Sequence, residues 1–178
     1  MGISWSAMRK ALEEDNICDS LKGRIQYFAT RYRKSHDQEG RVAIRLDGKE
    51  IFKSCYFDWY AKEQKVLEQH IVSRIPNEPG RCFWDRVYLE VKNLGGFDPF
   101  AFYDAFYEYK NHKIEESLCS TDPIVRLFAF FDKRTGKRKL QKMSSELYTQ
   151  PEWLQVLFRL RLQAEGIQER RAPSINIS

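Results

Sequence analysis

Hydrophobic and polar residues alternate most regularly between residues 24 and 56, where the sequence predicts a small antiparallel sheet. In "RVAIRLD", Val42, Ile44 and Leu46 alternate with arginines and alanine, which is the period of a half-buried strand. The Asp-Gly pair that follows suits a tight hairpin turn, because both residues tolerate positive φ. The flanking segments "RIQYFATRYRK" and "KEIFKSCY" are rich in aromatic and β-branched residues. A three-stranded antiparallel meander is therefore expected, with the three aliphatic side chains facing the core.

After the sheet, the apolar residues recur at helical spacing. Two helices are expected to begin at Asp98-Pro99 and Asp122-Pro123, because an aspartate caps the first turn and proline fits its first position. Pro151 marks the start of the last helix, and Gly166 suits its C-terminal end.

These patterns predict an α+β fold with a short N-terminal helix, a three-stranded antiparallel β-meander and a mostly helical body of five to six helices. We expect a single domain over residues 1–167, with its sheet-containing part over about 1–75 and its helical part over about 76–167. The polar tail, residues 168–178, is expected to be flexible.

The composition predicts a soluble cytoplasmic domain that needs no disulfide, metal or cofactor. Of its 178 residues, 42% are hydrophobic and 14% aromatic, which supplies enough apolar surface for a core. The four cysteines form no close pair of the kind that binds zinc. No segment has the apolar length of a signal peptide or a membrane-spanning helix, so we expect reduced thiols and no membrane association. The formal net charge of +5 makes a polyanionic partner plausible.

The stretch "DKRTGKRK" concentrates cations around Gly136, between two segments of helical spacing. It is not a nucleotide phosphate loop, because Phe131 replaces the first glycine of that motif and Arg138 replaces its hydroxyl residue. Cations after Gly136 fall in the first turns of a helix, where the helix dipole disfavours them. We therefore expect an anion opposite them, either an acidic side chain of this chain or an external partner. The candidate anion-binding residues of this segment are Lys133, Arg134, Lys137, Arg138, Lys139 and Lys142.

A second charged segment, "RYRKSHDQEGR", lies at the predicted turn between the first two strands. His36 and Asp37 are neighbours there and suggest acid–base catalysis. Two other interpretations stay open: contact of the basic residues with an anion or nucleic acid, and a charged hairpin tip that discourages pairing between sheets. The candidate anion-binding residues of this segment are Arg31, Arg33, Lys34 and Arg41.

Two further patterns concern the helical body. The run "FDPFAFYDAFYEY" places Phe102 and Phe106 on one helical stripe and predicts a helix buried on two sides, with a partner-binding groove as the alternative. Asp85, Asp104 and Glu108 would bind a metal only if the fold brought them together. No metal site is predicted from their spacing.

Two parts of the chain resemble a known family: "DSLKGRIQYFATRYRKSHDQEGRVAIRLDGKE", and "DPIVRLFAFFDKRTGKRKL" with "PEWLQVLFRLRLQAEGI". They are similar to an uncharacterised family of bacterial cytoplasmic proteins of unknown function, which carry Gly-Arg, Tyr-Arg, His-Asp, Asp-Gly and Asp-x-Arg-x-Gly-Lys-Arg elements. The resemblance covers most of the chain and implies a bacterial source and a single-chain domain. It supplies no catalytic residue. The positions that it marks for testing are Arg31, Arg33, His36, Asp37, Gly136, Lys137 and Arg138.

Three hypotheses of function stay open at this stage. The leading one is a non-enzymatic binding or regulatory protein that uses its basic segments to contact a polyanion such as nucleic acid, or an acidic protein. The first alternative is an enzyme acting on a phosphorylated or anionic substrate around His36, Asp37, Arg31 and Arg33. The second alternative is an oligomeric interaction module built on the aromatic helix.

Overall fold

The α+β architecture predicted from the sequence is confirmed by the structure, a computed structural model that describes residues 2–31 and 40–169. An N-terminal helix is followed by a three-stranded sheet and then by a helical body. The described ranges contain eight α-helices: α1 (Trp5–Lys10), α2 (Tyr56–Glu68), α3 (Gly80–Asn93), α4 (Pro99–Asn111), α5 (Ile114–Leu118), α6 (Pro123–Phe131), α7 (Lys137–Met143) and α8 (Glu152–Ala164). A π-helical turn, Ala11–Asp15, extends α1, and a 3₁₀ segment, Ser144–Thr149, follows α7.

The sheet is the predicted meander. Its strands are β1 (Ile25–Arg31), β2 (Gly40–Leu46) and β3 (Lys49–Cys55), antiparallel in sequence order. Asp47 and Gly48 have φ values of +50° and +80°, so the turn between β2 and β3 uses the left-handed conformations that this residue pair tolerates. Val42 and Ile44 are fully buried and Leu46 is half-buried, which orients β2 towards the core.

The helix ends follow local sequence signals. Asp98 Oδ1 accepts a hydrogen bond from the Ala101 N–H at 3.0 Å, and Asp122 Oδ1 accepts one from the Ile124 N–H at 2.8 Å. Each aspartate thereby satisfies a donor that the first helical turn leaves free. Gly166 follows the end of α8 with φ +68°, as glycine does in the usual helix-terminating turn. The ends of α4, α6 and α8 were thus predictable from short motifs.

The main core surrounds α6, the most deeply buried helix. Its neighbours are α4, α5 and α8, and its residues from Pro123 to Phe131 are buried apart from Arg126, which is half-buried. Phe102 of α4 packs against Phe128 of α6 with ring centroids 6.1 Å apart. The aromatic stripe of α4 therefore forms core, because Phe102 and Phe106 are both buried.

A second, smaller core joins α2 to α3. It consists of Val66, Phe83, Val87 and Val91. The connection from α3 to α4 ties this pair to the main body, since the Phe97 ring stacks on Phe52 at 4.8 Å. No helix in the part of the chain that the structure describes is long and apolar enough to cross a membrane.

Candidate functional site

The segment from Asp132 to Lys142, here called the basic turn, comprises the connection from α6 to α7 and most of α7 itself. Its first residues stabilise its conformation. The carboxylate of Asp132 is buried and accepts a hydrogen bond from the backbone N–H of Arg134 at 2.6 Å. The Arg134 guanidinium also donates to it, at 2.6 to 3.1 Å, and so does the Tyr109 hydroxyl. The Asp-x-Arg part of the segment therefore stabilises the turn itself.

Neighbouring elements hold the basic turn from both sides. The Lys133 N–H donates to the Asn16 carbonyl at 2.7 Å, which pairs the turn with the N-terminal segment. On the other side, the buried Thr135 hydroxyl donates to the Ala129 carbonyl at 2.7 Å, and the Thr135 carbonyl accepts from the buried Arg161 guanidinium at 3.2 Å. These hydrogen bonds fix the backbone of the basic turn, and with it the positions from which its exposed side chains project.

Three cations of the basic turn have an acidic partner within the chain. Arg134 pairs with Asp132, Lys137 lies 3.5 Å from Glu165, and Lys139 pairs with Glu115 on α5. The hydrogen bond from Lys139 lowers the pKa of the Glu115 carboxyl. The anions expected opposite the start of α7 are therefore partly internal.

Arg138 and Lys142 differ from the other cations of the turn. They are four residues apart on α7, so they share one helix face, and both side chains are exposed. Neither side chain has a hydrogen bond or an ion pair with any residue in 2–31 or 40–169. With Gly136, Lys137 and Lys139 they line a shallow depression of about 510 Å³. Lys133 adds a third uncompensated charge nearby in sequence, since its ammonium donates to a backbone carbonyl, that of Asp15, at 2.5 Å.

The second predicted segment lies mostly beyond the described residues. Arg33, Lys34, His36 and Asp37 fall outside them, as does the side chain of Arg31, so catalysis around His36 and Asp37 stays a prediction. Arg41 is described: it pairs with Glu50 of β3 and lies over the Phe28 ring, 5.6 Å from its centroid. The Arg41 side chain thus already has partners within the sheet.

A larger concavity of about 740 Å³, here called the acidic cleft, lies between α3 and α4. Asp85, Tyr88 and Lys92 face it at helical spacing from α3, and Asp104 and Glu108 do so from α4. Trp59 of α2 and Asp122 before α6 complete its walls. The fold therefore does bring Asp85, Asp104 and Glu108 to one cleft, but within residues 2–31 and 40–169 no three His, Cys, Asp or Glu side chains are placed so that they could hold a metal ion.

The two cations of the acidic cleft are already neutralised. Lys92 pairs with Asp122, and the Arg86 guanidinium donates to both carboxylate oxygens of Glu78 at 2.8 Å. A surplus of negative charge therefore remains in the cleft. Its carriers are Asp85, Asp98, Asp104 and Glu108.

These four carboxylates have few internal counter-charges. Asp85 lies 4.0 Å from Arg81, an exposed pair of the kind that contributes little. Glu108 accepts from the Ser120 hydroxyl and lies 3.9 Å from His112 Nδ1. The exposed Asp104 has no hydrogen bond or ion pair with another described residue. An anionic cleft on a chain with a net charge of +5 is a distinct electrostatic feature.

Aromatic side chains also line the acidic cleft. The rings of Trp59 and Tyr88 lie 5.9 Å apart, and Phe100, 53% exposed, also lines the cleft. Burial raises the pKa of the Tyr88 hydroxyl, and the charges of Glu63, Asp85 and Asp98 raise it further. Sequence reasoning found the acids but missed this site, because Trp59 reaches it only through the packing of α2 on α3.

The comparisons with known proteins identify a family. No curated protein matches the chain, and no solved structure matches it. The family model described as the SF0329 protein family matches residues 4–162, which include the sheet, the basic turn and both walls of the acidic cleft. The chain belongs to the SF0329 protein family.

Proposed function

We propose that this protein is a non-enzymatic binding protein whose basic turn contacts the phosphate backbone of a nucleic acid. The observation that carries the proposal is the pair Arg138 and Lys142, two exposed cations on one face of α7 with no internal counter-charge in the described ranges. Cations placed in this way bind phosphates and fix position without reading sequence. The open shape of the depression suits a backbone that passes over it.

The rigidity of the basic turn supports the same function. Asp132, Thr135 and Arg161 hold the basic turn through buried or partly buried hydrogen bonds, so less conformational entropy is lost when a ligand binds. Lys133, three residues before Gly136, donates to a backbone carbonyl and has no carboxylate partner among the described residues. Two or three such contacts give weak binding with a marked dependence on salt.

The cellular setting belongs to the same proposal. We place the protein in the bacterial cytoplasm, following the family resemblance of its sequence. The thiols support a reducing compartment, since Cys18, Cys55, Cys82 and Cys119 are all unpaired.

The test measures the salt dependence of binding to a short fluorescein-labelled duplex DNA and to a single-stranded RNA, by fluorescence anisotropy. Each phosphate contact that is lost flattens the slope of log K against log salt by about 0.9 for duplex DNA. The double variant R138Q/K142Q is expected to flatten it by about 1.8. The control, K49Q/K65Q, changes the same net charge at two exposed lysines of β3 and α2 and should leave the slope near that of the unchanged protein.

Two results would overturn the proposal. One is a slope near zero for the unchanged protein, since binding to phosphates releases counterions. The other is an equal effect of both double variants, which would show a response to net charge instead of a site at α7. Binding to polyglutamate without binding to either nucleic acid would assign the basic turn to an acidic protein partner.

A further inference from the structure

We propose that the acidic cleft binds a linear polyamine, whose ammonium groups pair with Asp85, Asp104 and Glu108 and whose methylene chain lies on Trp59 and Tyr88. The cleft shares no lining residue with the basic turn. This inference therefore goes beyond the proposed nucleic-acid contact and does not depend on it.

The negative charge of the cleft favours a positively charged ligand. Its cations, Lys92 and Arg86, are each held by a carboxylate, so they do not neutralise the remaining acids. Asp104 lies near the middle of α4 and Glu108 near its C-terminus. Glu108 is in the last turn, where the helix dipole adds partial negative charge and favours a cation.

The aromatic walls indicate an organic cation in place of a bare metal ion. Ammonium groups are attracted to the faces of tryptophan and tyrosine rings, whereas a metal ion requires several oxygen, nitrogen or sulfur ligands at short distance. The described ranges contain no three His, Cys, Asp or Glu side chains placed so that they could hold a metal ion. Trp59 and Tyr88 instead line the cleft with neighbouring rings, 5.9 Å between centroids and tilted by 40°.

Glu63 on α2 places a further negative charge near Tyr88, although it does not itself line the cleft. Glu63 lies one helical turn after Trp59 on α2, is only 8% exposed, and has no hydrogen-bond or ion-pair partner among the described residues. Burial raises its pKa, and its charge acts on the Tyr88 hydroxyl. A positive charge bound in front of Tyr88 would offset the cost of burying this carboxylate.

The size and extension of the cleft suit a chain with several charges. Its volume of about 740 Å³ falls in the range of small-molecule sites, about 300 to 1,000 Å³. Along the α4 axis, Asp104 and Glu108 are separated by about 6 Å, and Asp98 lies about 9 Å before Asp104. The first interval resembles the separation between neighbouring ammonium groups of a linear polyamine, so one extended ligand reaches both Asp104 and Glu108.

The test is isothermal titration calorimetry of the full chain with spermidine at low salt. Binding to the unchanged protein is expected to weaken when salt is added, because the cleft is partly open. The variant D104N/E108Q is expected to weaken it about tenfold, since it removes two partly exposed ion pairs. The control E14Q/D19N makes the same charge change at two exposed acids outside the cleft and should bind spermidine as the unchanged protein does.

A second pair of variants separates the aromatic contribution from charge. Y88L removes a ring face and is expected to weaken spermidine about fivefold, whereas Y88F keeps the face and should bind normally. Thermal unfolding of each variant shows that it is folded before titration. R138Q/K142Q should bind spermidine with the affinity of the unchanged protein. The spermidine result is therefore independent of the nucleic-acid proposal.

Three outcomes would overturn the inference. If D104N/E108Q and E14Q/D19N bind spermidine with the same affinity, the binding depends on net charge and not on the cleft. Equal binding by Y88L and Y88F would remove the role of the ring. Binding of trilysine without binding of spermidine would assign the cleft to a basic peptide.

Discussion

Replacing Asp132 with asparagine tests whether the basic turn is held by its own buried carboxylate. The side chain keeps its size and one acceptor oxygen, so the hydrogen bond from the Arg134 N–H can persist. The charge is lost, and an NH₂ group faces donors from the Arg134 guanidinium and the Tyr109 hydroxyl. Tyr109 is a donor at neutral pH, because burial and Asp132 raise its pKa well above the usual value.

The expected loss of stability follows from these contacts. Breaking a fully buried ion pair costs about 3 to 5 kcal/mol, but Arg134 is 49% exposed, so solvent screens part of its interaction. The mispaired Tyr109 hydroxyl adds about 1 kcal/mol. We therefore expect D132N to lower the free energy of unfolding by about 2 kcal/mol, which corresponds to about 4 to 8 °C in Tm for a chain of this length.

The assay is urea unfolding followed by tryptophan fluorescence and circular dichroism. D132N should lower the midpoint without changing the m-value. Y109F removes only the hydroxyl and should cost about 1 kcal/mol. The double variant should cost less than the sum of the two, because both changes disrupt the same contact. The control D19N alters an exposed aspartate and should stay within about 0.5 kcal/mol of the unchanged protein.

DNA binding by D132N separates the effect of its charge from the effect of a loosened turn, because the two change the affinity in opposite directions. D132N makes the turn more positive by one charge, so net charge alone predicts tighter binding. A loosened turn predicts weaker binding, because Arg138 and Lys142 lose their fixed placement. Unchanged stability, or tighter DNA binding by D132N, would refute the role assigned to Asp132.

Two further predictions concern the walls of the acidic cleft and the connection that supports them. Because burial raises the pKa of Glu63, the folded state holds its proton at a higher pH than the unfolded state does, and stability falls as pH rises through the window above 4.5. E63Q should lack this loss, so its advantage in urea unfolding should grow across that window and then stay constant; an advantage independent of pH would contradict the argument. Gly95 has φ +78°, and an added Cβ would lie 3.1 Å from Trp153 Cδ1, so G95A should cost about 1 to 2 kcal/mol in thermal unfolding. G80A has open space around its Cβ and should be close to neutral, and equal melting of the two variants would rule out the strain.

The elements of the fold that sequence predicted well depend on short-range signals. Asp98-Pro99 and Asp122-Pro123 begin helices because capping acts within three residues. Asp47-Gly48 forms its turn because the preference resides in the backbone of the two residues themselves. Each of these signals is complete within four residues of sequence, so no tertiary contact was needed to interpret it.

The candidate sites were less predictable, because their charges are paired over long sequence separations. Lys139 meets Glu115, 24 residues earlier, and Lys137 meets Glu165, 28 residues later. Nothing in the local pattern distinguishes these lysines from Arg138, which has no such partner in the described ranges. The acidic cleft depends on α3 facing α4, and the periodicity of either helix alone does not show that.

The separate core of α2 and α3 has a consequence for whatever occupies the acidic cleft. Four buried residues hold this pair together, so it can open as a cooperative unit of its own, at a lower free energy than the main core. Tyr88 and Trp59 belong to that unit, whereas Asp104 and Glu108 belong to α4. Each opening event thus separates one wall of the cleft from the other, so a molecule bound between the two walls stabilises the closed arrangement of α2 and α3.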